Sequence, residues 1–313
     1  MTRYWIDTDP GLDDALALLL AIREAGARLV GMSTVQGNVS EPTAAANLAR
    51  LLRGYGERGL LPHSWAPQIA RGCANPLRGQ WLPRAQSSHG PDGLGGLAWP
   101  AADPPAAMDL TARTALAAAA SASPDLHLVC LGPLTNLAAA VAAAPDLVAQ
   151  LDTLTIMGGL LRPEATQPPT SADFNFQADP EAAQAVLRAG FKRLQLVPLD
   201  VCQQVRLTPA QRDRVAALGT PASRAFLEVL APWSARVEGG LGLPLYDPLA
   251  WLAATHPDLL TWRDLSVSVD TAPADTRGAT LVDWTGISPN AQAAVGVRDM
   301  PAVFDVLCAA LAA

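Results

Sequence analysis

The chain has 313 residues, half of them hydrophobic, and a formal net charge of −7 from 29 acidic and 22 basic side chains. That is ample material for one large core, and length alone does not force a second domain. Lys192 is the single lysine and no basic block or stripe is present, which excludes an ordinary nucleic-acid binder.

The N-terminal half alternates short apolar runs with helical segments. Tyr4–Ile6 reads as a strand ending in Asp7, and Ala15–Ala25 as a helix with Leu16, Leu19 and Leu20 on one face. Leu29–Val35 is a second strand and Thr43–Arg53 a second helix, an order that predicts parallel strands joined by right-handed crossovers. The pattern resumes with a strand at Leu126–Leu131, a helix at Asn136–Ala143, a strand at Leu154–Met157, a helix at Pro180–Ala189 and a strand at Leu194–Leu199. Leu265–Val269 alternates and Thr280–Val282 follows Gly278, which predicts a small peripheral antiparallel hairpin. Pro301–Leu311 is a closing helix. Pro- and Gly-rich loops at about 62–105 and 158–172 are followed by the same βα pattern, so they are binding loops at the strand ends, not domain linkers. The expectation is one α/β domain over 1–313, with a mostly parallel central sheet flanked by helices. Cys73, Cys130, Cys202 and Cys308 have no metal-ligand spacing and read as free thiols of a reducing compartment. The charged start is unlike a signal peptide, and the Ala-rich stretch 115–122 is too short for a membrane span. A cytoplasmic protein without a membrane partner is expected.

The sharpest signal is Asp7-Thr8-Asp9-Pro10-Gly11-Leu12-Asp13-Asp14, four carboxylates within eight residues where the first strand meets the first helix. Such crowding is repulsive unless neutralised, and a hard cation with oxygen ligands is the natural neutraliser. Asp13 and Asp14 also suit a helix N-terminus. A cap needs one Asp; four, one of them ending a buried strand, point to a site.

This segment resembles the N-terminal signature of the nucleoside hydrolase family. The resemblance continues in order through Thr34-Val35-Gln36-Gly37-Asn38-Val39, His89-Gly90 with Gly93-Leu94, Leu131-Gly132-Pro133-Leu134-Thr135-Asn136-Leu137, Met157-Gly158-Gly159, Asp173-Phe174-Asn175, Asp179-Pro180-Glu181-Ala182-Ala183, Val197-Pro198-Leu199-Asp200 and Tyr246-Asp247-Pro248-Leu249-Ala250. It implies the family's Rossmann-like fold, a homodimer or homotetramer, and hydrolysis of ribonucleosides to base and ribose. It also implies Ca²⁺ held by Asp9, Asp14, the Leu131 carbonyl and Asp247, with ribose hydroxyls and water completing six to eight oxygens. Asp9 is then the base that takes a proton from water. Asp13, Asn38 and Asn175 bind ribose hydroxyls, Asp173 and Gln167 serve the 5′ end, Met157 packs under the sugar, and His89 lies in the family's His-Gly loop. Asp7 is expected to hold the loop rather than touch substrate.

Other readings of single residues are blander. Asn136 is expected to cap the helix that follows it, His127 to be a core or edge histidine, and His63 and His256 to carry no signal. Asn38 alone suits a turn, and Met157 alone suits a core. Trp81, Trp99 and Trp233 either stack on a base or pack beneath the loops.

Three positions depart from the family pattern. Asp173 stands where Glu is usual, and Gln167 where Asn is. Tyr246 occupies a position where many members have His, assigned there as the leaving-group acid; Tyr, with an ordinary pKa of ~10, is no easily ionised acid near neutrality. Val201-Cys202-Gln203 also differs from the Thr-His common after Pro-Leu-Asp. Two rival functions follow. Asp7-Thr8-Asp9 would suit a haloacid dehalogenase-type phosphohydrolase with Asp7 as nucleophile, but Gly11 stands where that motif expects Thr or Val. A non-catalytic Ca²⁺- and ribonucleoside-binding protein on the same fold is the other.

Overall fold

The structure, a computed structural model, describes residues 1–313 apart from 84, 104–110, 167–169, 238–241 and 274. Strands are numbered in chain order: β1 (Arg3–Thr8), β2 (Leu29–Thr34), β3 (Gln68–Ala70), β4 (Leu126–Cys130), β5 (Thr153–Met157), β6 (Leu194–Val197), β7 (Arg206–Leu207), β8 (Leu243–Pro244), β9 (Leu260–Val269), β10 (Thr280–Asp283) and β11 (Ala291–Val297). Among the described residues, nine of them form one sheet in the order β10-β9-β11-β6-β5-β4-β1-β2-β3. From β3 to β11 every neighbouring pair is parallel; β9 and β10 then add antiparallel to that edge.

Residues of β1 alternate between two cores. Tyr4 and Ile6 join a cluster with the helices Leu12–Ala25, Glu41–Glu57, Pro221–Val237, Tyr246–Thr255 and Met300–Ala312, while Trp5 points into a second with Ala112–Ala122, Thr135–Ala143 and Pro180–Arg188. The sheet is thus covered on both faces, which is why its central strands are continuous apolar runs. The helix Leu12–Ala25 is apolar nearly all round because it lies between β1 and three other helices. Leu16, Leu18, Leu19 and Leu20 are fully buried, each contributing about 1.5–3 kcal/mol.

The expected order of strands and helices is present, with physical exceptions. β3 lies inside the long loop read from 62 to 105; three residues with one buried side chain give no periodicity to detect. The strand expected to run to Leu199 stops at Val197, where Pro198 begins a short helix, Leu199–Cys202. The 265–282 hairpin forms, its strands pairing Val269 with Thr280, but it extends the main sheet's edge. The detached ribbon is the brief β7–β8 pair. Helices Pro209–Ala217, Pro221–Val237 and Tyr246–Thr255 fill the stretch left without assignment. No helix among the described residues is long and apolar enough to cross a membrane.

Strand order positions the site. β1 leads through the helix Leu12–Ala25 to β2 on one side, while β4 lies on the other, so the chain's progression across the sheet reverses between β1 and β4. Ligands bind outside the carboxyl ends of parallel strands at such a reversal. The residues there are those following Thr8 and those following Cys130.

Candidate active site and metal centre

β1 ends at Thr8, Pro10-Gly11 turns the chain, and the helix begins at Leu12. Asp14 closes that turn. It accepts hydrogen bonds from the Gly11 amide (2.9 Å), the Thr8 hydroxyl (2.5 Å) and the Asn38 side-chain amide (3.1 Å). Asp9 Oδ2 accepts from the Asn38 backbone N–H at 2.7 Å, whereas Asp9 Oδ1 and Asp13 Oδ1 are buried without a partner. Carboxylate oxygens of Asp13, Asp14 and Asp247 lie within 4.8 Å of one another. Asp247 enters from the first turn of Tyr246–Thr255, more than two hundred residues away in sequence.

Two glycines admit Asp9. A Cβ on Gly37 would lie 1.9 Å from Asp9 Oδ2, and one on Gly132 would lie 2.5 Å from Oδ1. The loops after β2 and β4 therefore clamp the carboxylate from both sides, which explains glycine at those two positions.

Burial raises the pKa of every acid in this group. Burial raises Asp13 to about 6, and Asp9 and Asp247 are held well above the carboxylate range, first by desolvation and then by the negative charges of Asp13 and Asp14. His89, on the short helix Gln86–His89, does not relieve them. Its Nδ1 accepts the Leu12 N–H at 3.2 Å and lies 3.7 Å from Asp13 Oδ1. An imidazole nitrogen that accepts carries no proton, and burial lowers this pKa to about 4, so His89 is neutral. Asn47 ties its loop down, donating to the carbonyls of Pro10 (3.0 Å) and Asp92 (2.8 Å).

The acids form one end of a cleft of about 330 Å³. Asp13, Asn38, His89, Leu131, Met157, Asp173, Asn175, Tyr246 and Asp247, all singled out in the sequence, line it. Asn175 bridges β4 and β5, donating to the carbonyls of Leu131 (2.6 Å) and Met157 (3.1 Å). Asp173 has a local task besides: its Oδ1 accepts from the amides of Gly159 and Phe176, both at 3.0 Å, capping the helix Phe174–Ala178. Asp9 and Asp14 sit behind this lining, 1% and 0% exposed. Gln167 lies outside the described residues.

The structure corrects the cap assigned to Asn136. The helix Thr135–Ala143 starts one residue earlier, and Asn136 donates to Asp7 Oδ1 (2.8 Å) and the Thr34 carbonyl (2.9 Å) while accepting from the Cys73 amide (2.8 Å). Asp7 is fully buried, bonded also by the Ser33 hydroxyl, and burial pushes its pKa to about 7. It braces β1 against β2 and β4, as a loop-holding role requires, and is no nucleophile for a phosphate. His127 is a core histidine, 2.7 Å from the Thr155 hydroxyl.

The three tryptophans separate. Trp233 lines the cleft, its ring 6.2 Å from that of Tyr246 at 41°. Trp99 stacks edge-on against Tyr55 and donates to Glu228, away from the cleft. Trp81 donates to the Gly37 carbonyl at 2.8 Å. Gln203, Leu199, Phe174 and Gln177 also line the cleft, and sequence reasoning had not singled them out as site residues. Only the Val201-Cys202-Gln203 departure pointed near them.

The orphaned oxygens of Asp9 and Asp13 and the convergence of Asp13, Asp14 and Asp247 fit a metal ion; the donor set is all oxygen, which suits a hard cation. A mostly parallel sheet with buried acids beside a cleft at its strand-order reversal is an α/β architecture with a candidate cation and ligand site. Known proteins narrow this. A sequence profile of the inosine-uridine preferring nucleoside hydrolases matches residues 4–305. The pyrimidine-specific ribonucleoside hydrolase RihA of Salmonella agona is 33% identical over 310 residues, covering 93% of each chain. The probable uridine nucleosidase 2 of Oryza sativa subsp. japonica is 31% identical over 301 residues, covering 91% of this chain and 86% of its own. The solved purine-preferring ribonucleoside hydrolase from Gardnerella vaginalis superposes with a TM-score of 0.85 at 26% identity, over 99% of this chain and 98% of that one. The chain belongs to the inosine-uridine preferring nucleoside hydrolase family.

Proposed function

We propose that this cleft hydrolyses the N-glycosidic bond of ribonucleosides, releasing ribose and free base, with Asp9 as general base and Ca²⁺ as the resident cation. The observation that carries the reading is the pair of buried, unpartnered oxygens on Asp9 and Asp13 beside the Asp13–Asp14–Asp247 convergence. Asp9, Asp14, Asp247 and the Leu131 carbonyl are the groups to hold the cation. When bound there, a divalent cation lowers the pKa of an adjacent water and orients vicinal hydroxyls.

The chain's own residues supply the rest. Asp9, steadied by the Asn38 amide on Oδ2, has Oδ1 left to accept a proton from the attacking water. Asp13 and Asn38 present acceptor and donor to ribose hydroxyls at the cleft floor. Asn175, its Nδ2 hydrogens committed to the Leu131 and Met157 carbonyls, has Oδ1 to accept from a ribose hydroxyl along the same edge. Met157 gives the sugar ring an apolar support as positive charge develops at C1′. Asp173, with Oδ1 committed to its cap, has its second oxygen for the 5′ hydroxyl.

The test is ribose release from inosine, guanosine, adenosine, uridine and cytidine, with Ca²⁺ and after chelation. Chelator-sensitive release, with kcat of Asp9→Asn reduced by about 10²–10⁴, is expected. Wild-type kcat in Asp9→Asn refutes the base assignment. Tight nucleoside binding without turnover in the wild type would instead establish a binding protein.

A further inference from the structure

The loop that clamps Asp9 is itself held from outside the cleft. The segment after β3 lies against the loop after β2: the Cys73 carbonyl accepts the Gln36 amide at 3.1 Å, and the Trp81 indole N–H donates to the Gly37 carbonyl at 2.8 Å. Asn75 fixes Trp81 in turn, its Oδ1 accepting the Trp81 amide at 3.1 Å. Trp81 shares a side cavity of about 30 Å³ with Gln36, Gly37 and Phe174 and is not part of the cleft lining. The Gly37 carbonyl and the Asn38 N–H are the two ends of one peptide unit. That unit is planar and trans, so its C=O and N–H point in opposite directions and turn together. At one end the oxygen takes the indole N–H; at the other the N–H donates to Asp9 Oδ2 at 2.7 Å. Position 37 admits only glycine, since a Cβ would lie 1.9 Å from that same Oδ2. Glycine has the widest choice of backbone angles, so the residue that makes room for Asp9 does little to fix the plane of the peptide that holds it. The indole fixes it from the far side.

We infer that Trp81 is a positioning residue for Asp9: its indole N–H sets the plane of the Gly37–Asn38 peptide, which holds Asp9 Oδ2 and leaves Oδ1 for the attacking water. The effect on rate rests on the nucleoside-hydrolase reading; the relay from indole to carboxylate stands without it. Each hydrogen bond in such a chain also polarises the next in a low-dielectric interior. Without the indole N–H the peptide is free to turn about the line joining the Cα atoms of Gly37 and Asn38. That motion leaves the Asn38 side chain nearly in place, with its bond to Asp14 Oδ2 at 3.1 Å. Ribose contacts then persist while the base loses its aim, so the loss falls on kcat and not on KM.

The experiment compares Trp81→Phe, which keeps a ring and loses the donor, with Trp81→His. The imidazole overlays the five-membered half of an indole, so its Nε2–H returns a donor to the Nε1 position. The sequence Gly-Asn occurs once in the chain. Glycine labelled with ¹³C at its carbonyl and asparagine labelled with ¹⁵N therefore give one NMR cross-peak, that of the Gly37–Asn38 peptide. In Trp81→Phe the Asn38 amide proton should move upfield as its bond to Asp9 weakens, and kcat on uridine and inosine should fall about 3–30-fold with KM unchanged. Trp81→His should recover both. Asp9→Asn combined with Trp81→Phe should be no slower than Asp9→Asn alone, because the indole acts through Asp9. Trp81→Leu, also without a donor, serves if Trp81→Phe melts early. An unmoved cross-peak in Trp81→Phe, no recovery in Trp81→His, or a further loss in the Asp9→Asn background overturns the inference. So does a raised KM with kcat kept, which would mean that the ring meets the substrate. If the wild type releases ribose from no nucleoside, the nucleoside-hydrolase reading fails, and the cross-peak alone decides whether the relay exists.

Discussion

Replacing Asn136 with Ala removes a side chain that touches no substrate and should nevertheless destabilise the whole centre. Asn136 is fully buried and makes three hydrogen bonds of 2.8–2.9 Å: to Asp7 Oδ1, to the Thr34 carbonyl and from the Cys73 amide. Asp7 Oδ1 would retain the Ser33 hydroxyl, so the loss falls mainly on the Thr34 carbonyl and the Cys73 amide. Each buried group left unpaired costs about 1–3 kcal/mol, so the two together cost about 2–6 kcal/mol. With an unfolding entropy of about 2.1 cal/mol/K per residue, a chain of 313 residues melts at roughly 0.65 kcal/mol/K. A 4 kcal/mol loss then lowers Tm by about 6 °C. Differential scanning calorimetry at one fixed Ca²⁺ concentration is the assay, because any ligand of the native state moves Tm by mass action. Asn136→Asp should melt lower still, since it sets a second buried carboxylate against Asp7. A Tm within 1 °C of wild type for Asn136→Ala would refute the bracing role and restore the simple helix position.

Two further outcomes are expected. Gly37→Ala and Gly132→Ala each drive a methyl into Asp9, at 1.9 and 2.5 Å, and a base displaced by about 1 Å loses on the order of 10²-fold in rate; steady-state kinetics showing unchanged kcat in both would remove Asp9 from the chemistry. His127, buried beside Thr155, has its pKa lowered from 6.5 to about 4 by desolvation. Between these values the unfolded chain binds a proton that the folded chain refuses, so its stability contribution is complete above pH 6.5 and falls away towards pH 4, by at most ~3 kcal/mol. His127→Gln should flatten Tm against pH across that window, and an unaltered slope contradicts the assignment.

Much of this was legible because the same residues obey local and global rules at once. The βα alternation follows from apolar runs that are buried on both faces, and Asp13 and Asp14 mark the helix start whatever their further use. The site was legible only as a set of short motifs; that Asp247 joins Asp13 and Asp14 depends on the packing of Tyr246–Thr255 against Leu12–Ala25, which no local pattern encodes. Asn136 was misread for the same reason. Asn one residue into a helix has the composition of a cap, and its partners Asp7, Thr34 and Cys73 come from three other segments. β3, the β7–β8 ribbon and the lining role of Gln203 had no signal of adequate length.

Stability alone gives no reason to keep these acids. Asp9, Asp13, Asp14 and Asp247 are at most 7% exposed, and the negative charge of one raises the pKa of another. Buried charges that lack cationic partners are commonly replaced by apolar side chains with no loss of stability, or with a gain. Asp14 is fully hydrogen-bonded and serves the helix start, so it could be kept for folding. Asp9 and Asp13 each hold one oxygen without a donor, as Asp7 does, but unlike Asp7 they have no pair of side-chain donors tying them into the strands. Gly37 and Gly132 leave room for Asp9 and for nothing larger, so the two loops are shaped around a carboxylate that the fold does not need. A rule broken at one point in an otherwise consistent chain marks function. The break here lies at the strand-order reversal, beside the cleft, where the proposed function puts a cation and a ribose.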